Sequence, residues 1–575
     1  MPSPAGPFRS PQTDAEPVRL TRAFAAAVAR HADLPAVVSD TGALTYAELD
    51  RRSAGWAGHL AFLGVAPGEV VAVERSADPG SVAALLAVLR AGAIVLPLDP
   101  VLPGARRDGL LAATGARGVL AHRAGSWSLD GLPLLDKPSV DVEHPHAYVF
   151  TTSGSTGTPK AVLGAHSGLG HFLAWQRDAF GIGPGDLVAQ LTGWSFDVCL
   201  RELFTPLVSG AAVVLPPPGP PTGARVFEFA ARTGVTVLHA VPSLARRWLA
   251  EARPLPSVRA TFFAGEQLTG ELVTAWRRAV PGAVVNLYGP TETTLAKFAH
   301  VVPDPAPAGP LPVGSPLPGV EAALVDGGLE TARADGAEGE IVLRTRHRGA
   351  GYLDGNPFHP NPFTDDPDDL LYRTGDLGRF DEDGLLRVLG RVDDQVKVRG
   401  VRLALREVGA ALDAAPGVRQ AAVVRRDGPD GVELVAFVAG GPVPAAVLRA
   451  AVLDRLPAAA VPAEFVFLPE IPLLPNGKVD RRALGETVAT APAPVRPEWD
   501  GLAGLVAGIC RDVLGRAPER PEQDLFDLGA DSLTAVEIAA RLEDELAFEV
   551  PLGLVYQEPT VARIVDALRG LGVRA

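Results

Sequence analysis

The sequence predicts an α/β protein in three parts: a large N-terminal lobe of helix-covered parallel sheets, a small α+β C-terminal lobe, and an all-α bundle. Three observations predict it. From Leu20, amphipathic helical runs alternate with short strands rich in Val, Leu and Ala. An example is Val70-Val71-Ala72-Val73, a helix through Leu85, Leu86 and Leu89, then Ile94-Val95-Leu96-Pro97-Leu98. Such alternation implies parallel sheets covered by helices. Residues 391–484 then offer the strand Leu434-Val435-Ala436-Phe437-Val438 and helical stretches, enough for a separate small unit. Last, apolar residues recur at helical spacing near the C-terminus with no strand pattern, which makes a small bundle.

Residues 1–17 are rich in Pro and Ser and are expected to be disordered, leaving 18–390 for the large lobe. The small lobe, 391–484, opens with Gly390-Arg391-Val392-Asp393-Asp394-Gln395. Residues 485–500 are Thr-, Ala- and Pro-rich and read as a semi-extended linker. In 501–575 three helical faces follow: Leu502, Leu505, Val506, Ile509 and Val513; Ala535, Ile538, Leu542 and Leu546; Val561, Ile564, Val565, Leu568 and Leu571.

The chain has 575 residues and a net charge of −14, which argues against a general binder of nucleic acid or of anionic membranes. A site for one anionic ligand needs only a local positive field. Cys199 and Cys510 lie far apart, with no disulfide framework and no metal-ligand spacing, as in a reducing compartment. The N-terminus lacks an apolar signal core. The run from Val82 to Leu98 is broken by Arg90, Gly92 and Pro97 and reads as a buried helix and strand, not a membrane span. A cytoplasmic protein is expected.

After the strand-like Tyr148-Val149-Phe150 comes Thr151-Thr152-Ser153-Gly154-Ser155-Thr156-Gly157-Thr158-Pro159-Lys160. Glycines let the backbone curl so that successive N–H groups point into one concavity, and the hydroxyls add donors. This suits a polyphosphate, although it lacks the ending of the common P-loop and the spacing of the dinucleotide fingerprint. A flexible Ser/Gly linker is the plainer alternative, but a linker has no reason to follow a strand or to end in Pro-Lys. Thr152 to Lys160 resembles the signature of adenylate-forming enzymes: acyl-CoA synthetases, luciferases and nonribosomal peptide synthetase adenylation domains.

Further segments match that family in order. In Asn286-Leu287-Tyr288-Gly289-Pro290-Thr291-Glu292, the resemblance implies Asn286 at the adenine edge, Tyr288 on its face, Thr291 at the nucleotide, and Glu292 holding Mg²⁺. Taken alone, the motif could be a surface turn. Asp376, in Tyr372-Arg373-Thr374-Gly375-Asp376, is implied to accept both ribose hydroxyls, with Arg391 nearby and Asp393 as the hinge between lobes. By the same resemblance Pro475-Asn476-Gly477-Lys478 is implied to supply the catalytic lysine, which would neutralise charge between the substrate carboxylate and the α-phosphate of ATP. Asn-Gly-Lys is otherwise a common exposed turn. Asp524-Leu525-Phe526-Asp527-Leu528-Gly529-Ala530-Asp531-Ser532-Leu533 resembles carrier proteins bearing 4′-phosphopantetheine, with Ser532 as the attachment site. A helix N-cap would explain Ser532 but not Phe526, Leu528 or the linker before them.

The bundle favours a peptide-synthetase loading module, since a coenzyme A ligase needs no tethered carrier. Asp197, in Trp194-Ser195-Phe196-Asp197-Val198, stands where amino-acid-activating members pair with the α-ammonium. By resemblance the side-chain pocket is lined by Val198, Arg201, His239, Phe262, Ala264, Leu287, Leu295 and Ala296. Asp197, Val198 and His239 are similar to serine-activating pockets. Arg201 departs from the usual aromatic residue, and either points away or receives a carboxylate or other acceptor. The expected substrate is a small polar amino acid, serine first and an aspartate-like or unusual one second. Ala404 and Arg406 replace the usual Glu and Gly, and Leu456–Pro462 lacks the usual Tyr-Met. The first change bears on the thioester-forming step. The implied function is ATP-dependent activation of an amino acid and its loading onto the carrier. Implied partners are a phosphopantetheinyl transferase, downstream natural-product enzymes and, as an open case, a small activator protein. An acyl- or aryl-acid ligase and a non-catalytic carrier-presenting protein are the alternatives.

Overall fold

The computed structural model describes residues 19–573 apart from short stretches, the longest being 134–141, 153–159, 330–336, 473–478 and 486–498. The described residues form two compact units, one ending at residue 391 and the other beginning at 395. The expected disordered N-terminus and most of the expected linker lie outside the described residues.

The first unit holds the expected parallel sheets. In one, Val70–Glu74 pairs in parallel with Ile94–Leu98 and with Gly118–Arg123, and Ile94–Leu98 pairs with His146–Thr152. In another, Leu187–Ala189, Val237–Ala240, Ala260–Ala264 and Ala283–Tyr288 run parallel, with antiparallel strands at the edges. The helix Gly80–Arg90 is buried along its whole length between two strands, which accounts for the apolar run without a membrane. Among the described residues no helix is long and apolar enough to cross one. Thr45 and Glu48 form a capping box at the start of Tyr46–Phe62, and Arg90 donates to Asp50 and Ser53. Thr45, Glu48 and Arg90 therefore have structural roles. The first unit also contains a five-stranded sheet, Val320–Val325, Gly339–Thr345, Phe358–Pro360, Leu370–Phe380 and Leu386–Arg391, whose pairings are all antiparallel. Strand–helix alternation does not foresee this sheet.

The hairpin of His146–Thr152 and Lys160–Ala165 brings Thr152 opposite Lys160, so residues 153–159 connect two paired strands. Tyr148 stands opposite Gly164, and a Cβ built there would meet the Tyr148 ring at 2.0 Å. The ring lies where a side chain would be.

In the second unit, Val418–Gly428, Gly431–Gly440 and Glu464–Leu468 form one sheet, and Gln395–Val398 with Val401–Ala404 forms a hairpin. Helices Leu405–Asp413 and Ala445–Leu453 complete an α+β arrangement around Val408, Leu412, Leu434, Val438 and Leu448. The C-terminal bundle has the expected helices Gly501–Leu514, Ser532–Leu546 and Val561–Gly570, plus a short helix, Leu554–Gln557. Its core joins Leu502, Val506, Ile509, Ala535, Ile538, Leu542, Ile564 and Leu568. Leu571, expected on the third face, lies just past the helix end and is exposed.

Candidate active site

The nucleotide motifs meet at strand ends of the first unit. Asn286 and Tyr288 end Ala283–Tyr288, and Thr291–Thr293 makes a 3₁₀ turn behind them. The Asn286 amide donates to the carbonyl of Pro312 at 2.9 Å, which fixes its plane. The Tyr288 hydroxyl donates to Asp376 at 2.6 Å, and Arg391 pairs with the other oxygen of the same carboxylate. The register that places Asp376 opposite Arg391 across the antiparallel pair makes this possible. A buried carboxylate with both oxygens held has a fixed orientation. Burial and the Asp376 charge raise the Tyr288 hydroxyl well above its ordinary value, so it stays a donor.

Glu292 is buried and accepts from the Tyr352 hydroxyl at 3.1 Å. Lys160 lies 5.0 Å from the Tyr352 ring centre, a cation–π distance. Tyr352 thus bridges the end of the phosphate-loop hairpin and the expected Mg²⁺ ligand. Beyond an isolated Gly-Tyr, no sequence pattern points to Tyr352. A lone buried carboxylate fits Mg²⁺, which takes few protein ligands and completes its shell with phosphates and water. Among the described residues no group of three or more His, Cys, Asp or Glu is placed to hold a metal.

Asp197 precedes the helix Val198–Ser209, and Arg201 lies on its first turn, only 2% exposed. His239 ends up equally enclosed on Val237–Ala240, its ring stacked on Phe262 at 5.1 Å. The Gln176 amide donates to His239 Nε2 at 3.0 Å while its oxygen accepts from Thr205 at 2.7 Å. Nδ1 therefore carries the His239 proton, and it has no partner. Burial, then the charge of Arg201, push His239 well below its usual value, so the ring is neutral. Burial lowers Arg201 to about 10, against the attraction of Glu202 and Asp197, so it remains charged near neutrality. Leu287, Leu295 and Ala296 are buried, and Ala264 ends Ala260–Ala264. Thr294 and Leu295 both take positive φ, 66° and 55°, a strained backbone steadied by the Tyr148 hydroxyl on Thr294.

Ser153, Gly154, Ser155, Thr156, Gly157, Asp393 and Lys478 lie outside the described residues. Ser532 is the first residue of the helix Ser532–Leu546. A helix N-terminus suits the phosphodiester of a phosphopantetheine arm.

Fold and site together define an adenylate-forming enzyme joined to a phosphopantetheine carrier. The chain belongs to the AMP-binding enzyme family, whose profile matches residues 24–353; the AMP-binding enzyme C-terminal domain matches 407–478 and the phosphopantetheine attachment site 505–568. Phosphinothricin tripeptide synthetase PhsC of Streptomyces viridochromogenes is 36% identical over 585 residues, covering 94% of this chain and 52% of that protein. Isonitrile lipopeptide synthase of Streptomyces coeruleorubidus is 36% identical over 580 residues, covering 93% of this chain and 39% of that protein. The chain thus spans about half or less of these relatives. The structure of holo-PA1221, an NRPS protein containing adenylation and PCP domains bound to a vinylsulfonamide inhibitor, is 25% identical, with a TM-score of 0.79 and 96% of each chain covered. These families use ATP, with Mg²⁺, and carry 4′-phosphopantetheine.

Proposed function

We propose that this chain activates a small polar α-amino acid, serine-like on the sequence pattern, as its adenylate and transfers it to its own carrier. One observation carries the amino-acid reading. Asp197 opens the helix that bears Arg201, near enough for its charge to act on Arg201 and on Tyr148. A half-buried carboxylate at the pocket gives an α-ammonium its counter-charge, which an aryl or fatty acid does not need.

In the first step a substrate carboxylate oxygen attacks the α-phosphorus of ATP, and the bond to pyrophosphate breaks. Asn286 and Tyr288 hold the base, and Asp376, oriented by Tyr288 and Arg391, accepts the ribose hydroxyls. Lys478, Lys160 and the loop from Thr152 to Gly157 take the developing negative charge. Glu292 would hold Mg²⁺, which supplies further positive charge to the phosphates. For the second step Ser532 would hold the 4′-phosphopantetheine arm, which would supply a thiol as acceptor of the aminoacyl group, with AMP as the leaving group. Asp393 is proposed as the hinge for the change between steps. A phosphopantetheinyl transferase, downstream natural-product enzymes and a small activator protein are the proposed partners, in the cytoplasm.

The test is intact mass of the pantetheinylated protein given ATP and an amino-acid panel. A gain of one aminoacyl group, absent in Ser532→Ala, supports both steps. A gain only with aryl or fatty acids overturns the role given to Asp197.

A further inference from the structure

We propose that the amino acid taken by this pocket carries an anionic side chain, a carboxylate or a tetrahedral oxyanion, received by the Arg201 guanidinium and the His239 Nδ1–H. The proposal rests on the amino-acid-activating function above and takes the second substrate class that the sequence pattern offers, the aspartate-like one, over serine.

The first ground is donors without acceptors. Arg201 makes no hydrogen bond or ion pair with any described residue, and its buried Nε is unpartnered. His239 presents a second unpartnered donor, because Gln176 fixes its other nitrogen as the acceptor. Burying donors without acceptors is costly, and more so when one is a full charge. Both problems end when an oxyanion enters.

The second ground is charge. Glu202 neighbours Arg201 in sequence, yet its carboxylate is taken up by Thr192 and Gln190. Burial raises Glu202 to about 7, and both of its oxygens are engaged by those donors and not by Arg201. Asp197 is the other carboxylate acting on Arg201, and the substrate ammonium needs it. The ammonium of a zwitterion with a neutral side chain takes up Asp197 and leaves Arg201 without an anion of its own. An extra side-chain anion balances the set. A serine hydroxyl accepts a hydrogen bond but neutralises nothing. The planar guanidinium offers a fork that fits two oxygens of one carboxylate or phosphate.

The third ground is shape. Phe262 covers one face of the His239 ring, which leaves its edge to present the donor. Ala264 and Ala296, at expected lining positions, are small residues.

The experiment measures pyrophosphate exchange with aspartate against asparagine, and with O-phosphoserine and cysteate against serine, for wild type and Arg201→Gln. Wild type is expected to favour the anionic member of a pair by roughly 30-fold or more in kcat/KM, as for a buried charge pair. Aspartate selection assigns a carboxylate; O-phosphoserine or cysteate selection assigns a tetrahedral anion. The ratio is expected to collapse in Arg201→Gln, and a ratio within one protein does not depend on the folded fraction. Equal or better use of asparagine or serine, or a ratio that survives Arg201→Gln, overturns the proposal while leaving amino-acid activation standing. Calorimetry with the non-hydrolysable aspartyl and asparaginyl sulfamoyl adenosines separates binding from turnover. Tighter binding of the aspartyl compound without exchange keeps the anionic pocket and defeats the catalytic function, whereas equal binding together with no preference for O-phosphoserine or cysteate over serine defeats the anionic pocket.

Discussion

Lys297 follows the pocket residue Ala296, is wholly buried, and its Nζ has no hydrogen-bond partner. Burial lowers its pKa from 10.5 to about 7. That drop corresponds to a penalty on the order of 4–5 kcal/mol on the charged form. The titratable groups that feel Lys297 are His171 and His347, whose rings stack at 4.1 Å. Burial pushes His171 down to about 3 and lowers His347 too, so both stay neutral as Lys297 titrates. The folded protein binds fewer protons than the unfolded chain between about pH 7 and about pH 10, so stability rises with pH across that window. Below about pH 7 both states are protonated and the penalty is complete. Lys297→Met keeps similar volume and removes the charge. It is expected to stabilise the first unit by roughly 3–4 kcal/mol near pH 6.5 and by about 2 kcal/mol less near pH 9. Urea unfolding followed by tryptophan fluorescence at both pH values measures the difference. The same gap at both, or a variant less stable than wild type at the lower pH, would refute the burial penalty on the Lys297 charge.

Other outcomes follow from the site. Asp376→Asn removes a carboxylate held by Tyr288 and Arg391. It is expected to raise the KM for ATP by about 10- to 100-fold, as loss of a charge-assisted hydrogen bond does, checked by initial rates of exchange. Tyr352→Phe takes one hydrogen bond from Glu292 and keeps the ring under Lys160. A fall in kcat/KM of about 2- to 10-fold is expected, with an increased Mg²⁺ requirement as the check. Thr294→Val strips the acceptor from the Tyr148 hydroxyl and places a β-branched residue at φ 66°. Its stability should fall by roughly 2–4 kcal/mol, read by denaturant melting.

Much of this was legible locally. Val70–Glu74, Gly80–Arg90 and Ile94–Leu98 follow from patterning, and the bundle helices from their apolar spacing. Asn286, Tyr288 and Asp376 could be located from their motifs, but not their contact. Tyr288 and Asp376 are 88 residues apart on strands of different sheets, and only the packing of one sheet against the other joins them. Gln176 escaped notice for the same reason: it sits on His166–Phe180, 63 residues before the histidine whose tautomer it sets. Nothing in the sequence around Lys297 announces its burial. The antiparallel sheet from Val320 to Arg391 was hidden by short strands and turns without helices between them.

The pairing of Tyr148 with Gly164 bears on how the hairpin was able to form at all. A strand pair with a seven-residue connection can slide by one residue, and each slip turns every side chain to the opposite face. Only one alignment lays a large ring over the single position that has no side chain to obstruct it. The vacancy at Gly164 acts as a notch and the tyrosine as its tooth. What keeps Lys160 in step with Thr152 is therefore written several residues away from either, partly as an atom that is not there.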